Sequence, residues 1–484
     1  MVDVLLIHPT RTLDQKGAHP RSLYMFLPMG LLAIADLLDR EGISTKIINY
    51  PLEQALDRTF DLATVLKQIE FKICGIDLHW IMHSNGAMEI AKIVKQVNPN
   101  ANVVLGGYSA TYYHDEIMQY YPAIDGIIRG EGEIPFLRYC QAVLRGQSLD
   151  SVPNLTYRDP TNHIKVNPIT YVAETLDELN FTNISLLQSG SKYIENSRKI
   201  MKMPFNLAIG RSCPFNCPYC GGGRTAQLLL SKREKILFRS PERVIDDLNT
   251  VVGTYKADAV FFGHGIYPTS FKYWETLFEL IRKEKFDIGA DLEIWRLPFP
   301  KSMWNSFSKT FRHANSSLSI CPQTLSPVAQ YSIRTLCDPT FNFPLDQIQT
   351  LIQYANLFQI VLRIWFTIGF PFQNFKDILG DYLFTLKQAL KYGRTKPNFI
   401  CVMNDLVHIS PASPAFETPE RFHLNLLFKT FRQNAEMYKR TKYRLGGWNS
   451  VSNYRTTNSS TLALRIWNNV FNVTEIPLFM KSSH

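Results

Sequence analysis

The sequence predicts an α/β protein: an open, doubly wound sheet, then a second α/β unit, then a small C-terminal segment. Three observations predict it. Short runs rich in Val and Ile alternate with amphipathic helical stretches over the first 150 residues. A polar, irregular stretch interrupts that pattern, and the alternation resumes from about residue 204. Near-continuous apolar strands are those of parallel sheets covered on both faces, and strand–helix alternation builds such sheets.

Taken in order, strands are expected at 4–7, 45–48, 73–76, 103–105 and 124–128. Leu31, Leu32, Ile34, Ala35, Leu37 and Leu38 form one broad helical face, and Gly42 is its stop. Met88, Ile90, Ala91, Ile93 and Val94 repeat the pattern before Asn98 and Pro99. Residues 151–200 read as a connector, with two short strands around a turn from Asp159 to Asn162. Further strands are expected at 205–209, 259–262, 288–292, 318–321, 361–368 and 399–403, separated by helices such as 241–252, 271–283 and 375–391. Periodicity leaves a partial barrel and a second open sheet equally open for this unit. The expected division is 1–150, 151–200, 201–425 and 426–484, the last a C-terminal domain or lid.

Composition narrows the class. With 484 residues, 45% apolar and 19% charged, the chain is globular and has room for two or three domains. The N-terminus has no basic stretch before its short apolar run, and the longest apolar stretch, 358–370, is broken by Arg363. No secretory signal, no membrane span and a cytoplasmic location are therefore expected. Eight cysteines are too few for a disulfide scaffold. The net charge of +10 is spread along the chain, so solvated basic faces, not a nucleic-acid surface, are expected.

Three of the eight cysteines, Cys213, Cys217 and Cys220, fall within eight positions in a C-x3-C-x2-C loop just after the strand at 205–209. Carboxyl ends of parallel strands are where α/β active sites lie. Three thiolates can hold three irons of a cubane and leave the fourth open. A structural zinc site is the alternative, but it wants four ligands. The nearest histidines are His163 and His264, and no fourth cysteine lies nearby.

This loop resembles the signature of radical S-adenosylmethionine (SAM) enzymes, with Tyr219 at the aromatic position before the third cysteine. Three downstream stretches agree: Arg239-Ser-Pro-Glu242, Phe366-Thr-Ile-Gly-Phe-Pro-Phe-Gln373, and the segment from Ser410 to Glu420. They resemble the family's cobalamin-dependent branch. The resemblance covers roughly residues 1–425 and implies that the second unit is a partial (β/α)6 barrel. It implies a 4Fe–4S cluster on the three cysteines, and SAM contacts at Tyr219, Gly263, Gln323, Gly369 and Met403. Gln323 and Gln373 stand where relatives usually carry Glu, and His264 stands where many carry an acidic residue.

The first unit has matching signals. Gly106 and Gly107 follow its fourth strand, Gly130, Glu131 and Gly132 follow its fifth, and Pro28-Met-Gly-Leu31 opens its first helix. Glycines after a strand permit close backbone approach to a ligand. The resemblance implies a Rossmann-like cobalamin-binding domain, with contacts at Thr10, His79, Trp80, Ser84, Gly106, Gly107, Gly130, Glu131 and Gly132. The loop 10–27 would lie under the corrin. No D-x-H-x-x-G motif follows the first strand, so base-off binding without a histidine ligand is expected.

The function implied is a cobalamin-dependent radical SAM methyltransferase. It would cleave SAM to a 5′-deoxyadenosyl radical and use methylcobalamin to methylate an unactivated carbon or phosphorus. The alternative is a cyclase or ring-rearranging enzyme of the same type without methyl transfer. A methylthiotransferase is disfavoured because the first unit has only Cys74 and Cys140, both on apolar elements. An electron donor of flavodoxin or ferredoxin type and a small-molecule or peptide substrate are the implied partners. Trp295, Arg296, Asn404, Asp405 and His408 are candidates to face the substrate cavity, with the segment 446–455 closing over it.

Overall fold

The computed structural model describes residues 2–13, 27–196, 204–392, 399–440 and 454–456. The first sheet contains β1 (Val4–His8), β2 (Thr45–Asn49), β3 (Ile73–Asp77), β4 (Asn102–Gly106), β5 (Gly126–Ile128), β6 (Leu155–Arg158) and β7 (Ile164–Val166). Its order is β2-β1-β3-β4-β5-β6-β7. The first five strands are parallel, and β1 is fully buried because helices such as Met29–Arg40 and Ser84–Val97 connect them. All five strands expected from the Val and Ile runs are present. In this order the connections leave β1 in opposite directions, so the crevice beyond the carboxyl ends of β1 and β3 is a topological switch point, where ligands bind.

The expected hairpin also forms, but it does more than connect. β6 pairs antiparallel with β5 and β7 with β6, so the hairpin becomes the edge of the first sheet. Its turn is held by Asp159, whose carboxylate accepts from the amides of Thr161 and His163, both at 2.9 Å.

The second sheet contains β8 (Phe205–Leu207), β11 (Ala259–Phe262), β12 (Gly289–Ile294), β13 (Ser317–Gln323), β14 (Val361–Ile368) and β15 (Phe399–Leu406). They pair in parallel and in sequence order, as strands of a (β/α) barrel do, and no pairing joins β8 to β15 among the described residues. This is the expected partial six-stranded unit. A small antiparallel ribbon, β9 (Gly210–Arg211) with β10 (Leu237–Phe238), brackets the cysteine loop. The helix expected over 241–252 is α-helical only at Pro241–Leu248 and widens into a π turn at Asn249–Thr254.

After β15 the chain returns across both units. β16 (Leu424–Leu426) pairs with β17 (Tyr454–Thr456), and the helix Phe431–Arg440 lies between them in sequence. Glu116 of the first unit caps that helix by accepting from the amides of Phe431 (2.7 Å) and Arg432 (3.0 Å). One continuous apolar core runs through both sheets. Among the described residues no helix is long and apolar enough to cross a membrane. Of the expected lid at 446–455, residues 446–453 lie outside the described residues.

Candidate active site

The cysteine loop begins two residues after β9. Cys213, Cys217 and Cys220 are half-buried free thiols. Gly221 and Gly223 let the loop fold tightly. A Cβ on Gly221 would stand 2.6 Å from the Pro411 carbonyl, and one on Gly223 would stand 3.0 Å from that of Phe215. The segment after β15 docks on the loop: Ser410 N donates to Tyr219 O (3.0 Å) and Ala415 N to Pro218 O (2.9 Å). Burial and the neighbouring Cys217 push the Cys220 thiol up to about 11. Burial raises Cys217 as well, but Arg296 opposes it, donating from Nη2 to the sulfur at 3.2 Å.

These donors fit an iron–sulfur cluster. Among the described residues no three His, Cys, Asp or Glu converge as ligands of a single ion. A cubane takes one thiolate per iron, so its cysteines are spread more widely.

The residues expected around SAM are only partly gathered. Gln323, at the end of β13 with φ 66°, donates from Nε2 to Tyr219 Oη at 2.9 Å. Its Oε1 and the Thr367 hydroxyl on β14 are buried without hydrogen-bond partners. Such orphaned acceptors are costly unless a ligand satisfies them, so this corner suits a polar ligand. Gly369 follows β14 with φ 74°, and its carbonyl accepts from Tyr454 Oη. Gly263 abuts the Leu207 carbonyl, 3.0 Å from a Cβ built there. The side chains of Met403, Asn404 and Asp405 lie outside the described residues.

Two other candidates turn inward. His264 is buried, with Nδ1 3.1 Å from Gly265 O and Nε2 3.1 Å from Ser212 O. Burial lowers its pKa to about 4. As a neutral imidazole it has one N–H and donates to one of these two carbonyls, which hold the ring against the loop. Arg296, a candidate to face the substrate cavity, meets Cys217 and Asp338. His408 keeps a buried, unpartnered Nε2 and remains a candidate for the cavity.

In the first unit, Thr10, His79, Trp80, Ser84, Gly106 and Gly107 gather at the carboxyl ends of β1, β3 and β4. His79 and Trp80 are exposed, and the His79 ring lies 4.8 Å from that of Tyr108. Thr10 is buried, and Gly86 is obligatory there: its Cβ would stand 1.9 Å from the Thr10 carbonyl. Gly106 has nothing within 4 Å of where a Cβ would stand, which leaves room for a ligand. Gly107, at φ 100°, is required for another reason than expected: its Cβ would meet the backbone of His79 at 2.7 Å. The sequence missed His8, Asp77, His83 and Asn85. His8 Nδ1 lies 2.9 Å from Asp77 Oδ2, and the His8 and His83 rings are 5.3 Å apart. Burial, then His8, pushes His83 down to about 3. His83 Nδ1, Ser84 Oγ and Asn85 Nδ2 are buried without partners, which fits the polar periphery of a bound corrinoid. Polar residues at strand carboxyl ends were the available signal. The loop residues 14–26 lie outside the described residues.

Gly130, Glu131 and Gly132 follow β5, where the Glu131 side chain turns to the second unit. Glu131 is buried and accepts from Arg211 Nη1 (2.9 Å), Arg233 Nη2 (2.9 Å), Arg233 Nε and Ala173 N (2.9 Å). Both its oxygens are occupied by protein donors, so its side chain is a latch to the second unit. A Cβ on Gly130 would stand 3.1 Å from Ser231 Cα, and Gly132 packs on Ile34 and Ile128. Arg211, two residues before Cys213, also pairs with Glu133. Tyr108 Oη donates to Gln227, and Tyr112 Oη donates to Glu417 at 2.8 Å. The two carboxyl-end sites are thus fastened to each other.

Known proteins are similar to this chain in sequence and in fold. Residues 22–139 match the B12-binding domain model. An uncharacterized methyltransferase of Pyrococcus horikoshii is 30% identical over 369 residues, 76% of this chain and 74% of that protein. The cytidylyl-2-hydroxyethylphosphonate methyltransferase of Streptomyces wedmorensis is 22% identical over 407 residues, 76% of this chain and 73% of that protein. Among solved structures, the radical SAM methyltransferase TsrM of Kitasatospora setae has the same fold, with a TM-score of 0.68 at 12% identity, covering 99% of this chain and 90% of that one. The chain belongs to the cobalamin-dependent radical SAM methyltransferases.

Proposed function

We propose that this chain methylates an unactivated carbon or phosphorus centre of a small molecule or peptide, taking electrons from a flavodoxin- or ferredoxin-type donor. The cluster, SAM and cobalamin supply a hydrogen-abstracting radical and a transferable methyl group when bound. The protein's part is to hold them and keep them in register. Cys213, Cys217 and Cys220 would hold the cluster by three irons. The Tyr219–Gln323 hydrogen bond and the open acceptors on Gln323 and Thr367 would position SAM beside it. Thr10, His79, Trp80, Ser84, Gly106 and Gly107 would cradle the corrinoid, and the buried, neutral His83 would meet its periphery.

One observation carries this reading: direct bonds tie the switch-point crevice of the first sheet to the cysteine loop of the second. Tyr108, just beyond Gly107, reaches Gln227, seven residues after Cys220, and Glu131 holds Arg211 at the loop's base. A methyl donor and a radical source must act on one substrate in turn, so proximity of the two sites is what this chemistry requires.

Anaerobic reconstitution tests the metal half. The chain should take up about four iron and four sulfide, as one cubane does. Changing Cys213, Cys217 and Cys220 together to Ala should abolish both. One zinc per chain in place of iron would contradict the reading.

A further inference from the structure

We propose that Arg296 is a positioning residue that sets the reduction potential of the cluster through the Cys217 sulfur, with Asp338 as its counter-charge. This rests on the reading of the three cysteines as cluster ligands. Arg296 as a whole residue is 5% exposed. Its Nη2 donates to Cys217 Sγ at 3.2 Å and to Asp338 Oδ2. The remaining nitrogens are also engaged: Nε donates to Thr340 Oγ1 (3.1 Å) and Nη1 to the Trp295 carbonyl (2.7 Å). The Phe215 ring lies 4.0 Å away, stacked on the cation. Asp338 is fixed in turn, accepting at Oδ1 from Thr340 Oγ1 (2.6 Å) and at Oδ2 from Asn216 N (3.3 Å). The guanidinium therefore has one orientation, and that orientation aims an N–H at a cluster-ligating sulfur.

The physical consequence has a sign. Reduction adds one electron to the cluster and makes it more negative. A cation and an N–H donor at a ligating sulfur favour that state and raise the potential, whereas a nearby carboxylate lowers it. Burial strengthens both effects, because little water screens them. The two members of one ion pair should thus act in opposite directions. A purely structural pair would not do this, since losing either partner would loosen the same loop.

The test is an anaerobic redox titration of the reconstituted full-length chain, followed by electron paramagnetic resonance of the reduced cluster, with iron counted in every sample. R296Q should shift the midpoint downward. At a given potential it should hold about tenfold less reduced cluster, ~59 mV for a one-electron couple. D338N should shift it upward, and R296K should lie between wild type and R296Q. Unchanged midpoints in variants that keep their iron would overturn the proposal, as would shifts of the same sign in R296Q and D338N. If R296Q loses its cluster, the sign of the D338N shift decides. Loss of iron from all three variants with the fold retained by circular dichroism would make the pair structural and overturn the proposal. Wild-type chain without iron would refute the cluster itself, a separate outcome.

Discussion

Asp381 shows how a single side chain organises the carboxyl end of the second sheet. Its carboxylate accepts from Thr324 Oγ1 (2.7 Å), Leu325 N (2.8 Å) and Gln373 Nε2 (3.3 Å). The last contact gives a reason for Gln373 where the motif resemblance leads to an expectation of Glu: a carboxylate there would face the carboxylate of Asp381. Burial raises the Asp381 pKa from 3.8 to about 6, and these hydrogen bonds only partly oppose it. The folded chain therefore binds the proton more tightly than the unfolded chain. Its contribution to stability is present at low pH and is lost as pH rises through that window. The loss should be on the order of 2–3 kcal/mol between about pH 4 and pH 6. In D381N the slope of the pH–stability curve over this window should change by the Asp381 share in denaturant titrations, and an unchanged slope would contradict the assignment. At this scale the sequence was legible where residue type dictates chemistry. The spacing of Cys213, Cys217 and Cys220 alone marks them as a candidate ligand loop. Gly107 could be named as a close-approach glycine, but not its partner, because only the fold brings the His79 backbone against it.

Elements were legible for a different reason. The five Val- and Ile-rich runs of the first sheet and the six expected runs of the second became strands that pair in parallel with their neighbours. The hairpin at β6 and β7 was visible from its turn, but its docking on β5 was not, since no local pattern encodes antiparallel addition to a parallel sheet. The latch is the clearest case of hidden information. Glu131 lies 80 residues from Arg211 and 102 from Arg233, so spacing could only suggest a ligand-binding glycine loop. Removing one partner of a buried pair leaves the other charge uncompensated, at a cost of about 3–5 kcal/mol. Glu131→Gln should lower stability on that scale and speed hydrogen exchange in the segments around 206–213 and 224–231, while iron content stays near wild type. Unchanged exchange there would show that the latch does not hold the two units together.

The whole molecule reads as two carboxyl-end sites clamped together. The first sheet offers an open switch-point crevice with unpartnered polar atoms, and the second offers a thiol loop beside unpartnered acceptors. Latches at Tyr108–Gln227, Tyr112–Glu417 and Glu131–Arg211 join them, and the helix Phe431–Arg440 reaches across, with Arg11 5.2 Å over its Tyr438 ring. That layout was legible from the resemblance carried by short motifs, whereas the contacts that enforce it were not. In the proposed reaction one chain uses SAM both as methyl donor and as radical source. The most direct test supplies the reconstituted protein with cobalamin, a strong reductant and SAM carrying a labelled methyl group, and then counts the products. The account predicts S-adenosylhomocysteine with label in the corrinoid fraction, together with 5′-deoxyadenosine that disappears when Cys213, Cys217 and Cys220 are all Ala. Release of 5′-deoxyadenosine with neither S-adenosylhomocysteine nor labelled corrinoid would contradict it and favour a cyclase or rearrangement without methyl transfer.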